Sequence, residues 1–435
     1  MQLRSRLGSD ALAANSTPPL SAVLKLAGTA IASVLAGRSL DAALVGVPAN
    51  SRGATMDLAF GAVRFLSRYR FYLDRLLARG DPDAIVVGIL LAALHALESR
   101  PDAIHTVVDQ AVEAVADIRH GACKGLVNAV LRNYVRQGET LRADARLDEV
   151  AHYCHPPWWI GRVKAAHPDH WQAILETGNT HPPMSLRVNR RHGDAATYLA
   201  KLADAEMPAR ILGEHALMLV KPVPVSRLPG FADGWVSVQD LGAQFAAPML
   251  DVSPAMRVLD CCAAPGGKTG HLLELADIDL TAIDLDAARL ERVRDNLSRL
   301  GLSAKLITAD CGDTDSLEAW WDGVPFDRIL VDAPCSASGV VRRHPDGKWL
   351  RRESDVAQFA SAQARILGAL WRTLARDGKL LYATCSIFPE ENGGSVAAFL
   401  DTHRDARLIQ HSNDGQLLPD SDHDGFFYAL LGKKR

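Results

Sequence analysis

Met256-Arg-Val-Leu-Asp260, Cys261-Cys-Ala-Ala-Pro-Gly-Gly-Lys-Thr269 and Asp279-Leu-Thr-Ala-Ile-Asp284 follow one another closely in the chain. The outer two are short apolar runs of the kind that buried parallel strands use, and the middle one is a glycine turn that opens a helix reaching Leu275. After Asp284, Leu290, Val293, Leu297 and Leu300 recur at steps of three, four and three, one buried helix face. Further strands are predicted at Ala304-Lys-Leu-Ile-Thr308, Asp327-Arg-Ile-Leu-Val-Asp332 and Gly378-Lys-Leu-Leu-Tyr-Ala-Thr384. Strands alternating with helices predict an α/β doubly wound, Rossmann-like domain over residues 236–435.

Upstream the texture differs. From Leu20 to Arg136 the periodicity is helical, with Val23, Ala27, Ile31 and Val34 at four- and three-residue steps. Blocks at Thr55 to Leu77, Asp83 to Leu97, Ile104 to Val115 and Lys124 to Asn133 extend it, so residues 20–145 read as an all-α bundle. His155-Pro-Pro-Trp-Trp159 and His181-Pro-Pro183 then break the helices. The short segments Met184–Asn189, Ala216–Val220 and Gly234–Asp240 suggest a small α+β subdomain over 146–235. Residues 1–19, with Ser16-Thr-Pro-Pro19, read as a disordered tail.

A chain of 435 residues predicts two or three domains. A net charge of −3 does not announce nucleic-acid binding, so any basic surface must be local. Seven cysteines, an odd number without a disulfide framework, suit reduced thiols in the cytoplasm. The adjacent pair Cys261 and Cys262 has no second Cys or His pair at zinc-finger spacing, so no structural metal is expected. The apolar stretch from Ser21 to Ala36 is interrupted by Lys25 and reads as an amphipathic helix, with no membrane association.

The loop Cys262-Ala263-Ala264-Pro265-Gly266-Gly267-Lys268 lies where the first strand meets the first helix of the α/β domain. Its glycines allow close backbone approach, and helix N-terminal amides would face a ligand. The Gly-x-Gly-x-x-Gly spacing of dinucleotide folds is absent, and the position where a phosphate loop needs its first Gly is Cys262. A ligand without pyrophosphate fits better, and S-adenosylmethionine is the expected cofactor. Asp284, Asp310 and Asp332 close successive strands. Asp284 is placed to accept ribose hydroxyls and Asp310 to meet an adenine amine. Any single Asp of this sort is commonly a helix N-cap, whereas three in register point to a ligand.

Pro334-Cys335-Ser336 and Thr384-Cys385-Ser386 each follow a predicted strand. Ligands in open α/β sheets bind at carboxyl strand ends, so both thiols are expected at one rim. Two thiols there, without metal-type spacing, suggest covalent chemistry on an electrophilic carbon. Pro389-Glu-Glu-Asn392 is expected to start a helix whose N-terminus lowers a nearby thiol pKa. The residues alone leave open which thiol attacks.

These motifs, with Gly339-Val-Val-Arg-Arg-His-Pro345, Lys348-Trp-Leu-Arg-Arg352 and Asp424-Gly-Phe-Phe-Tyr428, resemble the RNA cytosine-C5 methyltransferases. The match is best to the Sun or RsmB family, which acts on small-subunit ribosomal RNA. Ala122-Cys-Lys-Gly-Leu-Val-Asn-Ala-Val-Leu-Arg-Asn133 looks like a NusB-type RNA-binding module, so the resemblance covers nearly the whole chain. It implies methylation of carbon 5 of a cytosine through a Cys–C6 adduct. Cys385 would be the nucleophile, Cys335 the release assistant, and Asp332 the carboxylate at ring nitrogen 3. It also implies S-adenosylmethionine held by residues 262–268 with Asp284, Asp310 and Asp332. A transfer-RNA cytosine-C5 methyltransferase and a non-catalytic RNA-binding or antitermination factor remain alternatives at this point.

For RNA, Arg342 and Arg343, just after Cys335, are placed for phosphate contacts, and Lys124 and Arg132 share a bundle face with Arg136. Trp349 reads either as a base-stacking platform or as a core residue. Trp158 and Trp159 read as core anchors.

Overall fold

The computed structural model describes residues 18–78, 80–409 and 415–434. Most of the expected N-terminal tail, residues 1–17, lies outside them. Two compact units emerge, one of residues 1–180 with 341–352, the other of 181–340 with 353–435.

The first unit is all-helical. Its main helices are α1 (Leu20–Leu35), α2 (Ala49–Arg64), α3 (Leu66–Leu76), α4 (Ala84–Ser99), α5 (Ile104–Ala114), α6 (Lys124–Leu147), α7 (Pro157–Ala166) and α8 (Trp171–Thr177). The α1 stripe buries Val23, Leu24, Ala27, Ile31 and Val34, as its periodicity requires. Helix α4 is apolar nearly all round and forms the centre of the bundle, with residues 89–94 fully buried. Gly28 and Gly88 let α1 and α4 touch backbone to backbone, since a Cβ on Gly88 would lie 2.1 Å from the Gly28 carbonyl oxygen. The helical block from Thr55 to Leu77 is divided at Phe65, and α6 runs well past Asn133. Among the described residues no single helix is long and apolar enough to cross a membrane.

The segment 341–352 belongs to this helical unit, which the sequence did not suggest. Lys348 is fully buried, and its ammonium donates to the Arg64 carbonyl at 2.9 Å and to Asn179 Oδ1 at 2.8 Å. The Trp349 indole donates to the Val63 carbonyl at 2.9 Å and packs on the bundle core, so it is a core residue and not a base platform. Arg342 is 2 % exposed, and its carbonyl accepts from Arg64 at 2.9 Å. Burial lowers the Lys348 pKa from 10.5 to about 7. Between those values the unfolded chain binds the extra proton, so stability rises with pH from about 7 towards 10.5, and that gain is lost as pH falls back to about 7. Denaturant unfolding of the wild type should therefore strengthen from pH 7 to 9 by up to about 1.4 kcal/mol per pH unit relative to Lys348→Met. Parallel pH profiles for the two proteins would refute this.

The second unit begins with a four-stranded antiparallel sheet, ordered β2-β3-β1-β4, from β1 (Met184–Val188), β2 (Ala209–Gly213), β3 (Ala216–Leu219) and β4 (Val236–Val238). Helix α9 (Ala195–Asp204), capped by Asp194, contributes Tyr198 and Leu202 to its core. Arg187 of β1 is 1 % exposed and pairs with the equally buried Glu274 at 2.7 Å.

The larger sheet is built from β5 (Arg257–Cys261), β6 (Asp279–Asp284), β7 (Lys305–Thr308), β8 (Phe326–Asp332), β9 (Leu374–Thr384), β10 (Ala406–Ile409), β11 (Gln416–Leu417) and β12 (Phe426–Lys433). Their order is β10-β12-β9-β8-β5-β6-β7, with β11 paired to β12. Strands β5 to β9 are parallel, whereas β12 joins β9 antiparallel. Helices α10 (Gly267–Leu275), α11 (Ala287–Arg299), α12 (Glu353–Thr373) and α13 (Gly393–Thr402) connect them. From β5 the chain first adds β6 and β7 on one side, then β8 and β9 on the other. The strand order thus reverses between β5 and β8, and a ligand crevice opens at their carboxyl ends.

Candidate active site

The crevice is a cleft of about 350 Å³ lined by Cys262, Ala264, Asp284, Asp310, Asp332, Pro334, Cys335 and Cys385, with Arg289 and Arg365 among its other walls. The expected cofactor loop, the three strand-end acids and both thiols therefore come together. The volume falls within the ~300–1,000 Å³ of small-molecule sites.

The loop after β5 is held by local chemistry. Cys262 takes a left-handed φ of 59°, Gly266 one of 94°, and Gly267 opens α10. A Cβ on Gly266 would come within 3.1 Å of the Val293 Cα, so this glycine is required by the packing of α11 as well as by its own backbone. Asp284, 3 % exposed, accepts from the Ala264 amide and from the Asp286 amide, both at 3.1 Å. Its carboxylate is thereby oriented at the end of β6. Asp310 accepts from the Gly312 amide at 2.9 Å and from Arg365 at 3.0 Å. Behind the loop, Asp260 is fully buried and accepts from the Thr269 hydroxyl at 2.6 Å. Burial raises its pKa to about 7.

Asp332 ends β8 and accepts from Lys268 at 2.6 Å, so the last residue of the glycine loop is tied to the strand that carries the first thiol. Burial opposes the charge on Lys268, but the Asp332 carboxylate outweighs it and holds the ammonium above its ordinary pKa.

The two sulfurs lie 3.4 Å apart. They are not equivalent. Cys335 is 8 % exposed, while Cys385 is half-buried on the cleft wall. The hydrogen bond to Cys385, then burial, with further repulsion from Cys385 and Glu391, push the Cys335 thiol well above its ordinary pKa. The helix expected to start at Pro389 is not formed there. Pro389–Glu391 is a single 3₁₀ turn, and α13 starts only at Gly393.

The loops bearing the thiols are stitched together behind the sulfurs. The Gly339 amide donates to the Cys385 carbonyl at 2.8 Å. Gly339 also packs on Gly425, whose amide donates back to its carbonyl at 2.9 Å. A Cβ on Gly339 would sit 2.2 Å from the Gly425 oxygen, which explains a glycine in both the Gly339-Val and the Asp424-Gly motifs. Glu391 accepts from both Ser336 and Ser386, and Asn392 accepts from Thr384 and donates to the Ser386 carbonyl. Sequence reasoning read Pro389–Asn392 as a helix start within a family motif and gave no role to Glu391, Asn392 or the paired serines.

The expected RNA contacts fare differently. Arg342 is buried within the helical unit, so its guanidinium is withdrawn from any RNA-facing surface. Arg343 is half-buried. On α6, Lys124 pairs with Glu113 at 3.2 Å, whereas Arg132 is exposed and donates to Asn128 at 2.8 Å. With Arg136 and His105, Arg132 lines an open cleft along α5 and α6.

Three family models match successive parts of the chain: the NusB family at residues 24–136, the RsmF/B-like ferredoxin-like domain at 155–226, and the 16S rRNA methyltransferase RsmB/F at 247–432. The ribosomal RNA small subunit methyltransferase B of Pseudomonas putida is 45 % identical over 94 % of this chain and 97 % of its own length. The chain belongs to the ribosomal RNA small subunit methyltransferase B family. The Vibrio cholerae family member is 44 % identical over 87 % of this chain and 88 % of its own. The crystal structure of PH0851 shares the fold, with a TM-score of 0.78 and 24 % identity over 96 % of this chain and 99 % of its own. The family fold accounts for the helical NusB-like unit, for the antiparallel β1–β4 sheet as its ferredoxin-like insert, and for the larger sheet as its Rossmann-like methyltransferase domain.

Proposed function

We propose that this chain transfers a methyl group from S-adenosylmethionine to carbon 5 of a cytosine in small-subunit ribosomal RNA, through a transient bond between Cys385 and carbon 6. The observation that carries this reading is the pair of thiols 3.4 Å apart at the mouth of a cleft that also holds three strand-end carboxylates. The residues of the glycine loop, 262–268, and Asp284, Asp310 and Asp332 would hold the cofactor, which when bound supplies an electrophilic methyl group. The pre-oriented Asp284 carboxylate suits a ribose diol, since two backbone amides already fix its direction.

Carbon 5 of cytosine is a poor nucleophile. A thiolate on carbon 6 makes it enamine-like, which divides one hard step into two easier ones. Cys385 faces the cleft and attacks. Asp332 meets ring nitrogen 3 in its protonated form, whose positive charge the carboxylate steadies and the thiolate's electron pair neutralises, with Lys268 holding the carboxylate in place. Cys335 takes the carbon-5 proton so that the Cys385 thiolate can leave. The cytosine must leave any helical stack to reach the thiolate. Exposed Arg132 and Arg136 on α6 are basic residues suited to RNA phosphates.

Incubating the protein with total RNA and methyl-tritiated S-adenosylmethionine should place label in small-subunit ribosomal RNA, at a position that bisulfite sequencing reads as 5-methylcytosine. Label confined to transfer RNA, or to a base that bisulfite converts, would overturn the reading.

A further inference from the structure

Glu391 is fully buried, yet it lies in none of the cleft walls. One carboxylate oxygen accepts from the Ser336 amide at 2.6 Å, and the other accepts from the Ser336 hydroxyl at 2.6 Å and from the Ser386 hydroxyl. Ser336 directly follows Cys335, and Ser386 directly follows Cys385. The Glu391 carbonyl is itself anchored by the Tyr382 hydroxyl at 2.6 Å, inside β9. Burying a carboxylate is costly unless donors surround it, and hydrogen bonds to a charged acceptor are about twice as strong as neutral ones. A buried anion held by one amide and two hydroxyls from two loops is a strong tether between those loops.

We propose that Glu391 is a positioning residue whose carboxylate clamps the Cys335 and Cys385 loops together and so sets the gap between the two sulfurs. The proposal deepens the covalent reading above and rests on it for its catalytic consequence. An attacking thiolate and the group that later removes a proton must reach the same ring from fixed places, and a displacement of about 1 Å costs about 100-fold in rate. Asn392 supports the same end of β9 through Thr384 at 2.6 Å, the Ser386 carbonyl at 2.8 Å and Gln416 at 2.8 Å. It holds only the Cys385 side. Glu391 holds both.

The test is thiol mapping beside turnover. Full-length protein is treated with iodoacetamide, and the labelled cysteines are located by peptide mass spectrometry. In the wild type Cys385 should label and Cys335 should be protected, as should Cys261 and Cys311 in the same domain, which are buried. Glu391→Gln keeps the shape but replaces an acceptor oxygen by a donor. It should label Cys335 at least about tenfold faster, leave Cys261 and Cys311 protected, and lower methyl transfer about 100-fold with cofactor affinity within about twofold. Unchanged protection of Cys335, or turnover within about threefold of wild type, overturns the clamp. Should Cys261 also label, Ser336→Ala decides, since it removes only one hydroxyl, with its contacts to Glu391 at 2.6 Å and to the Ser386 hydroxyl at 3.3 Å, and leaves the Glu391 carboxylate in place. Selective exposure of Cys335 there supports the clamp, and joint exposure with Cys261 overturns it. The labelling uses neither RNA nor cofactor, so it judges the clamp even if the covalent reading fails through an active Cys385→Ala variant.

Discussion

Cys385→Ala is expected to abolish methyl transfer, a loss of about 10⁴-fold or more, because removing a covalent nucleophile removes the pathway itself and not one contact within it. The assignment rests on an asymmetry between two similar frames. Both thiols line the cleft, but Cys385 is half-buried whereas Cys335 is 8 % exposed, and the hydrogen bond to Cys385, then burial, raise the Cys335 pKa. From 3.4 Å the Cys335 thiol can donate a hydrogen bond to an attacking Cys385 thiolate. The cofactor contacts should survive, since the loop, Asp284 and Asp310 are held by amides and by Arg365 without help from either sulfur. Equilibrium binding of S-adenosylhomocysteine should stay within about twofold of wild type while tritium transfer to RNA vanishes. Near-normal turnover in this variant, with turnover lost in Cys335→Ala, would reverse the roles of the two thiols.

Much of this site was legible in the sequence because its parts are set at strand ends. An apolar run followed by an acid or a Pro-Cys turn places that residue at the carboxyl edge of a parallel sheet, and β6, β8 and β9 ended where the runs of residues predicted, with β5 one residue later. The helical unit was legible for the same reason, through the period of Val23, Ala27, Ile31 and Val34. What escaped are features made by distant partners. The basic segment after Cys335 reads as a solvent-facing cluster, yet Lys348 finds its acceptors at Arg64 and Asn179, far along the chain, and is buried with them. Strand β2 escaped because its residues are exposed or half-buried and lack the apolar pattern. Strand β12, an apolar run after the Asp424-Gly motif, gave no sign that it would pair antiparallel to β9. Glu391 escaped because its meaning lies in Ser336 and Ser386, which only the folded sheet brings together. Local period reveals elements, and long-range hydrogen bonds reveal what the polar residues between them are for.

Cys335→Ala should behave in the opposite manner to Cys385→Ala, trapping the enzyme on its RNA. Attack by Cys385 needs no proton from Cys335, so the adduct should form and the methyl group should arrive. Release then requires removal of the carbon-5 proton before the carbon–sulfur bond can break. In the wild type the hydrogen bond to Cys385, then burial, raise the Cys335 pKa. Once Cys385 is bonded to carbon 6, it is a neutral thioether and no longer repels a thiolate at Cys335. Cys335 gives its own proton to solvent and, as the thiolate, takes the carbon-5 proton. Alanine at this position leaves no group there to accept the proton, so turnover should fall about 10²- to 10⁴-fold, the usual worth of general acid–base catalysis. Unlike the Cys385 variant, this one should give a retarded protein–RNA band on denaturing gels with substrate RNA, and the double variant Cys335→Ala, Cys385→Ala should not. A retarded band in the double variant would place the covalent bond elsewhere. Its absence from Cys335→Ala, with turnover preserved, would remove Cys335 from the release step and leave the proton to water or to Asp332.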